Sequence, residues 1–276
     1  MNKTILFLLK RRNRLSTVIA LILSICSFGI VNNWQHAQAV EIAQSNNTQN
    51  TPAAVTNLLA QIDAAASKGD AKAVLQYYSP NFVHSDGLTR QTMEKALVTF
   101  WKRHPNVRYS TQVQSWKAEG NAIVAETVTN ISASPSASNS NLALNSTIRS
   151  RQRIVGGAIT RQDIVSERTV LTSGNKPPQV DVKLPQQVKV GQQYNFDAIV
   201  EEPLGDDLLL GAALEEPIQA SNYLNPTSVD LQLLNSGGLF KIGRAPATPG
   251  SRWISAVIMR GNGMTVVTQR LQVVRK

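Results

Sequence analysis

Cysteine is almost missing from this chain. Cys26 is the only one, and it lies in an N-terminal stretch with the layout of a targeting segment. Beyond residue 39 the chain therefore has no disulfide, no thiolate nucleophile and no cysteine metal site, so its folding rests on burial of a core. A strong charge is missing too. The formal balance of +10 includes Lys3, Lys10, Arg11, Arg12 and Arg14, and residues 1–39 carry no acid. Without those five, 23 basic residues face 18 acidic ones, and the balance falls to +5. That is a solubility feature and not a nucleic-acid footprint. No internal repeat is visible, and no residue set amounts to a catalytic signature. The remaining length suits two ordinary domains.

Residues 1–39 have the layout of a secretory signal peptide or an N-terminal anchor. Lys10, Arg11, Arg12 and Arg14 precede an uncharged run from Ser16 to Val31, and Ala37-Gln38-Ala39 comes next as a small-residue cleavage site before Val40. The run is shorter than the roughly 20 residues that a spanning helix needs, which favours cleavage over anchoring. Lipidation at Cys26 is disfavoured because Ile25 stands where a small residue is required. The expected location is exported, in the periplasm or cell envelope, with membrane contact only through this segment if it stays uncleaved. Residues 40–50, rich in Gln and Asn, read as a flexible tether.

From Thr51 the pattern turns helical. Thr51-Pro52 is expected to open a helix as cap and first residue, with Val55, Leu58, Leu59, Ile62 and Ala66 as its apolar stripe. Asp70 then caps a short helix. Val74, Tyr77 and Tyr78 fall on one helical face, and Pro80 is expected to end the helix at Tyr78 or Ser79. Asn81–His84 reads as a brief strand and Asp86-Gly87 as a turn. Thr89 caps a third helix, whose last turn places Lys102, Arg103 and His104 against the dipole before Pro105 stops it. Four strands come next, at Val107–Trp116, Ala122–Ser132, Leu142–Val155 and Ala158–Thr172. The first pair turns at Glu119-Gly120-Asn121 and the last at Gly156-Gly157, with a small-residue loop at Ser132–Asn141 expected to be mobile.

The Ala-rich first helix, Gly69-Asp70-Ala71, Tyr78-Ser79-Pro80-Asn81-Phe82, Asp86-Gly87, the third helix and the four strands together resemble the nuclear-transport-factor-2-like superfamily. This is the α+β cone of SnoaL-like and ketosteroid-isomerase-like proteins, three helices packed on a curved antiparallel sheet. The resemblance covers residues 51–173. It implies a scaffold that hosts both enzymes and inert binding modules, and it allows for a homodimer.

Residues 174–178 read as a linker rich in breakers, and residues 179–276 as an all-β domain. Val180–Leu184, Gln193–Val200, Leu208–Leu214, Ser228–Leu234, Leu239–Arg244, Arg252–Arg260 and Met264–Val274 are strand candidates, with Asn262-Gly263 as a hairpin turn. Seven short strands suggest an immunoglobulin-like sandwich, with Trp253 anchoring its core.

Three residue groups could carry chemistry. The resemblance implies an apolar cavity in the cone, near which Tyr77, Tyr78, Phe82 and Trp101 are the pocket-lining candidates. There the resemblance also implies an acid or base, for which His84, Asp86 and Tyr78 are the candidates. The plainer reading makes both tyrosines core aromatics and Asp86 a turn residue. Arg149, Arg151 and Arg153 recur at period two and so share one strand face. They could meet an anionic partner, or form a solvated face paired with Glu126, Asp163 or Glu167. Glu201, Glu202, Asp206, Asp207, Glu215 and Glu216 cluster, but their spacing matches no calcium loop. No metal and no cofactor are expected.

Two functions remain. The first is a non-enzymatic exported envelope protein that binds a small molecule or an envelope protein. The alternative is a small-molecule isomerase, dehydratase or hydrolase with a pocket acid and base.

Overall fold

The computed structural model describes residues 51–135, 141–205, 207–224, 227–261 and 263–275. The targeting segment, the tether, Asp206, Asn262 and residues 136–140 of the small-residue loop lie outside the described residues. In chain order the elements are α1 (Ala53–Ser67), α2 (Ala71–Leu75), β1 (Tyr78–His84), α3 (Arg90–Arg103), β2 (Arg108–Glu119), β3 (Ala122–Ala133), β4 (Leu142–Val155) and β5 (Ala158–Ser173). They continue as β6 (Val180–Lys183), β7 (Gln187–Lys189), β8 (Gln193–Val200), β9 (Leu209–Pro217), β10 (Gln232–Leu234), β11 (Gly238–Arg244), β12 (Gly250–Arg260) and β13 (Gly263–Val274). No described helix is long and apolar enough to cross a membrane.

Local chemistry explains most of the first half. The Asp70 carboxylate accepts from the Ala73 amide at 2.9 Å and caps α2. Thr89 and Thr92 form a reciprocal capping box on α3. Gly156 and Gly157, at φ 56° and 78°, make the two left-handed turn positions that a tight β4–β5 hairpin needs. Three expectations fail locally. Thr51 caps nothing in α1, whose first amides bond the Pro52 carbonyl instead. His104 is buried against Phe100, and burial lowers its pKa to about 4, with Arg103 adding to the shift. It is therefore no cation for the helix end. Finally, α2 stops at Leu75, not at Tyr78.

That early stop has a tertiary cause. The Tyr77 carbonyl accepts from the Ile159 amide at 2.8 Å, and Tyr78 begins β1, which runs parallel to β5. Pro80, which has no amide to donate, sits where the register slips between Tyr78 and Val83. Long-range strand pairing overrides the helical spacing of the two tyrosines.

The strands form one ten-stranded sheet, ordered β10-β9-β12-β13-β5-β4-β3-β2, with β1 beside β5 and β7 beside β13. β5 is the spine. One edge pairs with β4 along its length, and the other is divided between β1, at Ile159–Gln162, and β13, at Arg168–Ser173. The second half is therefore not a self-contained sandwich, since β9, β10, β12 and β13 prolong the sheet of the cone. Its other layer is the small sheet β11-β8-β6.

Two cores result. Helices α1–α3 and the inner faces of β1–β5 bury Leu59, Met93, Phe100, Ile131 and Ile148, and Tyr223, Trp253 and Val266 join them from the second half. The second core holds Phe196, Leu239, Ile254, Ile258 and Leu271. β12 touches both, which is why its Trp253–Ile258 run is buried without alternation. Trp253 accordingly anchors the core of the cone and not that of the sandwich layers.

Candidate functional site

The site lies where β1 ends and β13 takes over the edge of β5. Asp86 comes just after β1, Glu167 is mid-β5, and Arg270 stands one residue beyond the last β13–β5 pair. All three are at most 6 % exposed. The Arg270 guanidinium donates to both Asp86 oxygens, at 2.9 and 2.8 Å, and to Glu167 Oε2 at 3.0 Å. Tyr223 Oη donates to Asp86 Oδ2 at 2.5 Å, and Trp253 Nε1 to Glu167 Oε2 at 3.0 Å. Asp86 and Glu167 of the cone are thus bolted to three residues from the other half, Tyr223, Trp253 and Arg270.

One guanidinium cannot neutralise two buried carboxylates, and they divide accordingly. Burial pushes the Asp86 carboxyl up, but the paired bonds from Arg270 outweigh it and hold the pKa at about 2. At Glu167 burial wins over the same arginine, and its pKa is raised. Asp86 is therefore a saturated anion.

His84 is packed beside this cluster, its Nδ1 3.9 Å from Asp86 Oδ2. Its Nδ1 accepts from the Asp86 backbone amide at 3.1 Å, so the neutral ring carries its proton on Nε2. Burial lowers its pKa to about 4, against an opposing pull from Asp86, and the ring is neutral at pH 7. Nε2 has no hydrogen-bond partner among the described residues.

His84 opens a polar row that sequence reasoning missed. It pairs with Gln162 across β1–β5, and Gln162 pairs with Gln152 across β5–β4. Both glutamines are 1 % exposed, and neither Oε1 has a partner among the described residues. They belong to the inner face, because Ile148, Ser150, Gln152 and Ile154 alternate inward along β4. Farther along, Thr127 with Ser150 and Ser146 with Thr169 bond hydroxyl to hydroxyl. Alternation makes the inward side of β4 legible; the unpaired amides on it are visible only once the neighbouring strands are in register.

The other candidates separate. Tyr78 and Phe82 are buried and stack edge to face at 4.9 Å, whereas Tyr77 is half-buried at the border of the core. Trp101 is half-buried and donates to Tyr109 Oη at 2.9 Å. Arg149, Arg151 and Arg153 lie on the outer face. Arg151 pairs with Glu126 at 2.7 Å and Arg153 with Glu119 at 2.8 Å, while Asp163 pairs with Arg161. Glu167 is on the opposite, buried face. Arg151→Ala should therefore change stability by less than about 1 kcal/mol in low salt, and less still in high salt, as urea unfolding would show.

The acidic group does not converge. Glu202 accepts from the Gln179 amide, Asp207 pairs with Arg260, Glu215 with Arg252, and Glu216 with Thr227. No metal-binding group occurs among the described residues. A separate open cleft of about 570 Å³ lies at the junction of the halves, beside Lys176, Glu201 and Glu202.

Helices α1–α3 and the antiparallel strands β2–β5 make up the architecture of the first half. The first half has the nuclear-transport-factor-2-like cone fold. Similar solved structures include an epoxide hydrolase of Mycobacterium tuberculosis (15 % identity, 40 % of this chain and 80 % of that one, TM-score 0.30). Another is a Catenulispora acidiphila protein with a ketosteroid-isomerase-like fold, in complex with trimethylamine (15 %, 42 % and 85 %, TM-score 0.30). A third is a Jannaschia protein named for its likeness to the SnoaL polyketide cyclase (8 %, 43 % and 90 %, TM-score 0.31). These are enzyme-like cones by name. At such identities and scores the likeness concerns fold and carries nothing about the chemistry of this chain. Residues 175–274 match a family described as a domain of unknown function, DUF8623. No curated protein matches the chain.

Proposed function

We propose that this chain is an exported, non-enzymatic protein of the cell envelope whose cone holds a small molecule, with the C-terminal half as a fixed wall of the cone and a docking module. One observation carries the choice of binding over turnover: the Asp86 amide donates to His84 Nδ1. A pocket base of the His–carboxylate kind needs the opposite tautomer, with Nδ1–H donating to the carboxylate and Nε2 bare. Here Nε2 holds the proton, and the Asp86 oxygens are occupied by Arg270 and Tyr223. Such a centre donates one fixed hydrogen bond and accepts no proton from a substrate.

The alternative, a small-molecule isomerase, dehydratase or hydrolase, is favoured by the presence of an imidazole, a carboxylate and a phenol together on one buried surface. It needs Asp86 released from Arg270 and the imidazole proton moved to Nδ1.

Native mass spectrometry on the protein purified from its own host tests both. The binding reading expects a mass beginning at Val40 plus a stoichiometric adduct that persists on incubation. An adduct that converts to a new mass supports the enzyme, and a bare chain in every preparation overturns ligand carriage.

A further inference from the structure

Resting on that reading, we infer that the ligand is an uncharged carboxamide-like molecule, held by its carbonyl oxygen on His84 Nε2–H and by its N–H groups on Gln162 and Gln152. The direction of the first bond is set by the backbone: with Nδ1 occupied by the Asp86 amide, Nε2 can only donate, and it has no acceptor among the described residues. His84, Gln162 and Gln152 stand on three successive strands. Neighbouring residues in such a row are about 4.8 Å apart. At that separation one carboxamide accepts from the first side chain and donates to the next. Both glutamine oxygens are buried acceptors in want of donors, and an unmet buried acceptor destabilises the empty site. Amide rotation lets each glutamine serve an N–H or an O–H of the ligand, while the imidazole stays fixed.

Charge is excluded by the surroundings. The guanidinium of Arg270 is taken by Asp86 and Glu167, so an anion would find only neutral N–H donors, next to an ionised Asp86. A cation fares no better. Asp86 is filled by Arg270 and Tyr223, and Glu167 Oε2 by Arg270 and Trp253. An unpaired charge brought into this interior would meet the full desolvation penalty.

The test uses the full chain at pH 7 with three isosteric probes, propionamide, propionate and propylammonium, each monitored by the His84 imidazole resonances and by thermal melting. Propionamide should shift Nε2–H and raise the melting temperature, and the charged probes should do neither. The double variant Gln152→Leu with Gln162→Leu should weaken propionamide by up to about tenfold per lost hydrogen bond. It should also melt at or above the wild-type temperature, because two unmet buried acceptors are removed. Absence of a propionamide shift at His84 overturns the assignment. If propionate or propylammonium binds instead and is lost in the double variant, the cone remains a binding site and only the neutral class falls. If the double variant melts lower and no probe binds, the row is an internal polar network, and the binding reading falls with the assignment.

Discussion

Arg270→Ala should destabilise the fold by about 3–5 kcal/mol, the cost of leaving buried carboxylates without their cation. Asp86 loses both paired bonds and Glu167 loses its cationic partner, in a site at most 6 % exposed. The loss should reach both halves, because the same cluster joins the end of β1, the middle of β5 and β13. Urea unfolding measures it, with a shift of midpoint and a single transition as the expected form. A companion variant guards the interpretation. Replacing Asp86, Glu167 and Arg270 together by leucine removes every charge at once and should recover part of the loss, since a buried ionic set often equals an apolar one in stability but the Tyr223 hydroxyl and Trp253 Nε1–H lose their acceptors. A large loss in the triple variant would assign the effect to shape and not to charge.

The second large effect is on acid stability. His84 and His104 both have pKa values lowered from 6.5 to about 4, chiefly by burial. The unfolded chain takes up these two protons first, so stability is full above pH 6.5 and falls as the pH drops towards 4. The slope is about 1.4 kcal/mol per pH unit for each histidine. Asp86 acts lower. Its pKa is held down from 3.8 to about 2, and the stability it contributes is lost as the pH falls through that window. Unfolding free energies at pH 7, 5.5 and 4.5 should show the steep fall, and His104→Phe should halve its slope. An unchanged slope in that variant would show that His104 does not titrate on unfolding.

Both effects arise from contacts that local sequence patterns do not report. Asp86 reads as a turn residue, which it is, and its ring of partners is drawn from residues up to 184 positions away. Arg270 lies in a strand whose burial does not alternate, with Gln269 and Gln272 near it and nothing in the sequence that marks it as buried. Glu167 reads from the sequence as a partner for the outer arginines, and the register shift between Arg149 and Ser150 in the β4–β5 pairing leaves it on the inner face. By contrast, Leu142–Val155 and Gln193–Val200 are legible to the residue, because period-two alternation and flanking turns are local signals. Tyr77 and Tyr78 show the opposite limit: their helical spacing is real, and pairing with β5 overrules it.

By itself, then, the sequence determined the helices of the cone with the caps of α2 and α3, the two hairpins that build its sheet, the absence of cysteine chemistry beyond residue 39, and the inward face of β4. These depend on dihedral preference, turn chemistry and amphipathic period, all set by residues within a few positions of one another. Only the tertiary structure decided that β13 extends the sheet of the cone, that Trp253 and Tyr223 close its core, and that His84, Gln162 and Gln152 form one row. Those outcomes depend on which strand edges meet, and a shift of one residue in register would turn those of these side chains that stand on strands to the other face.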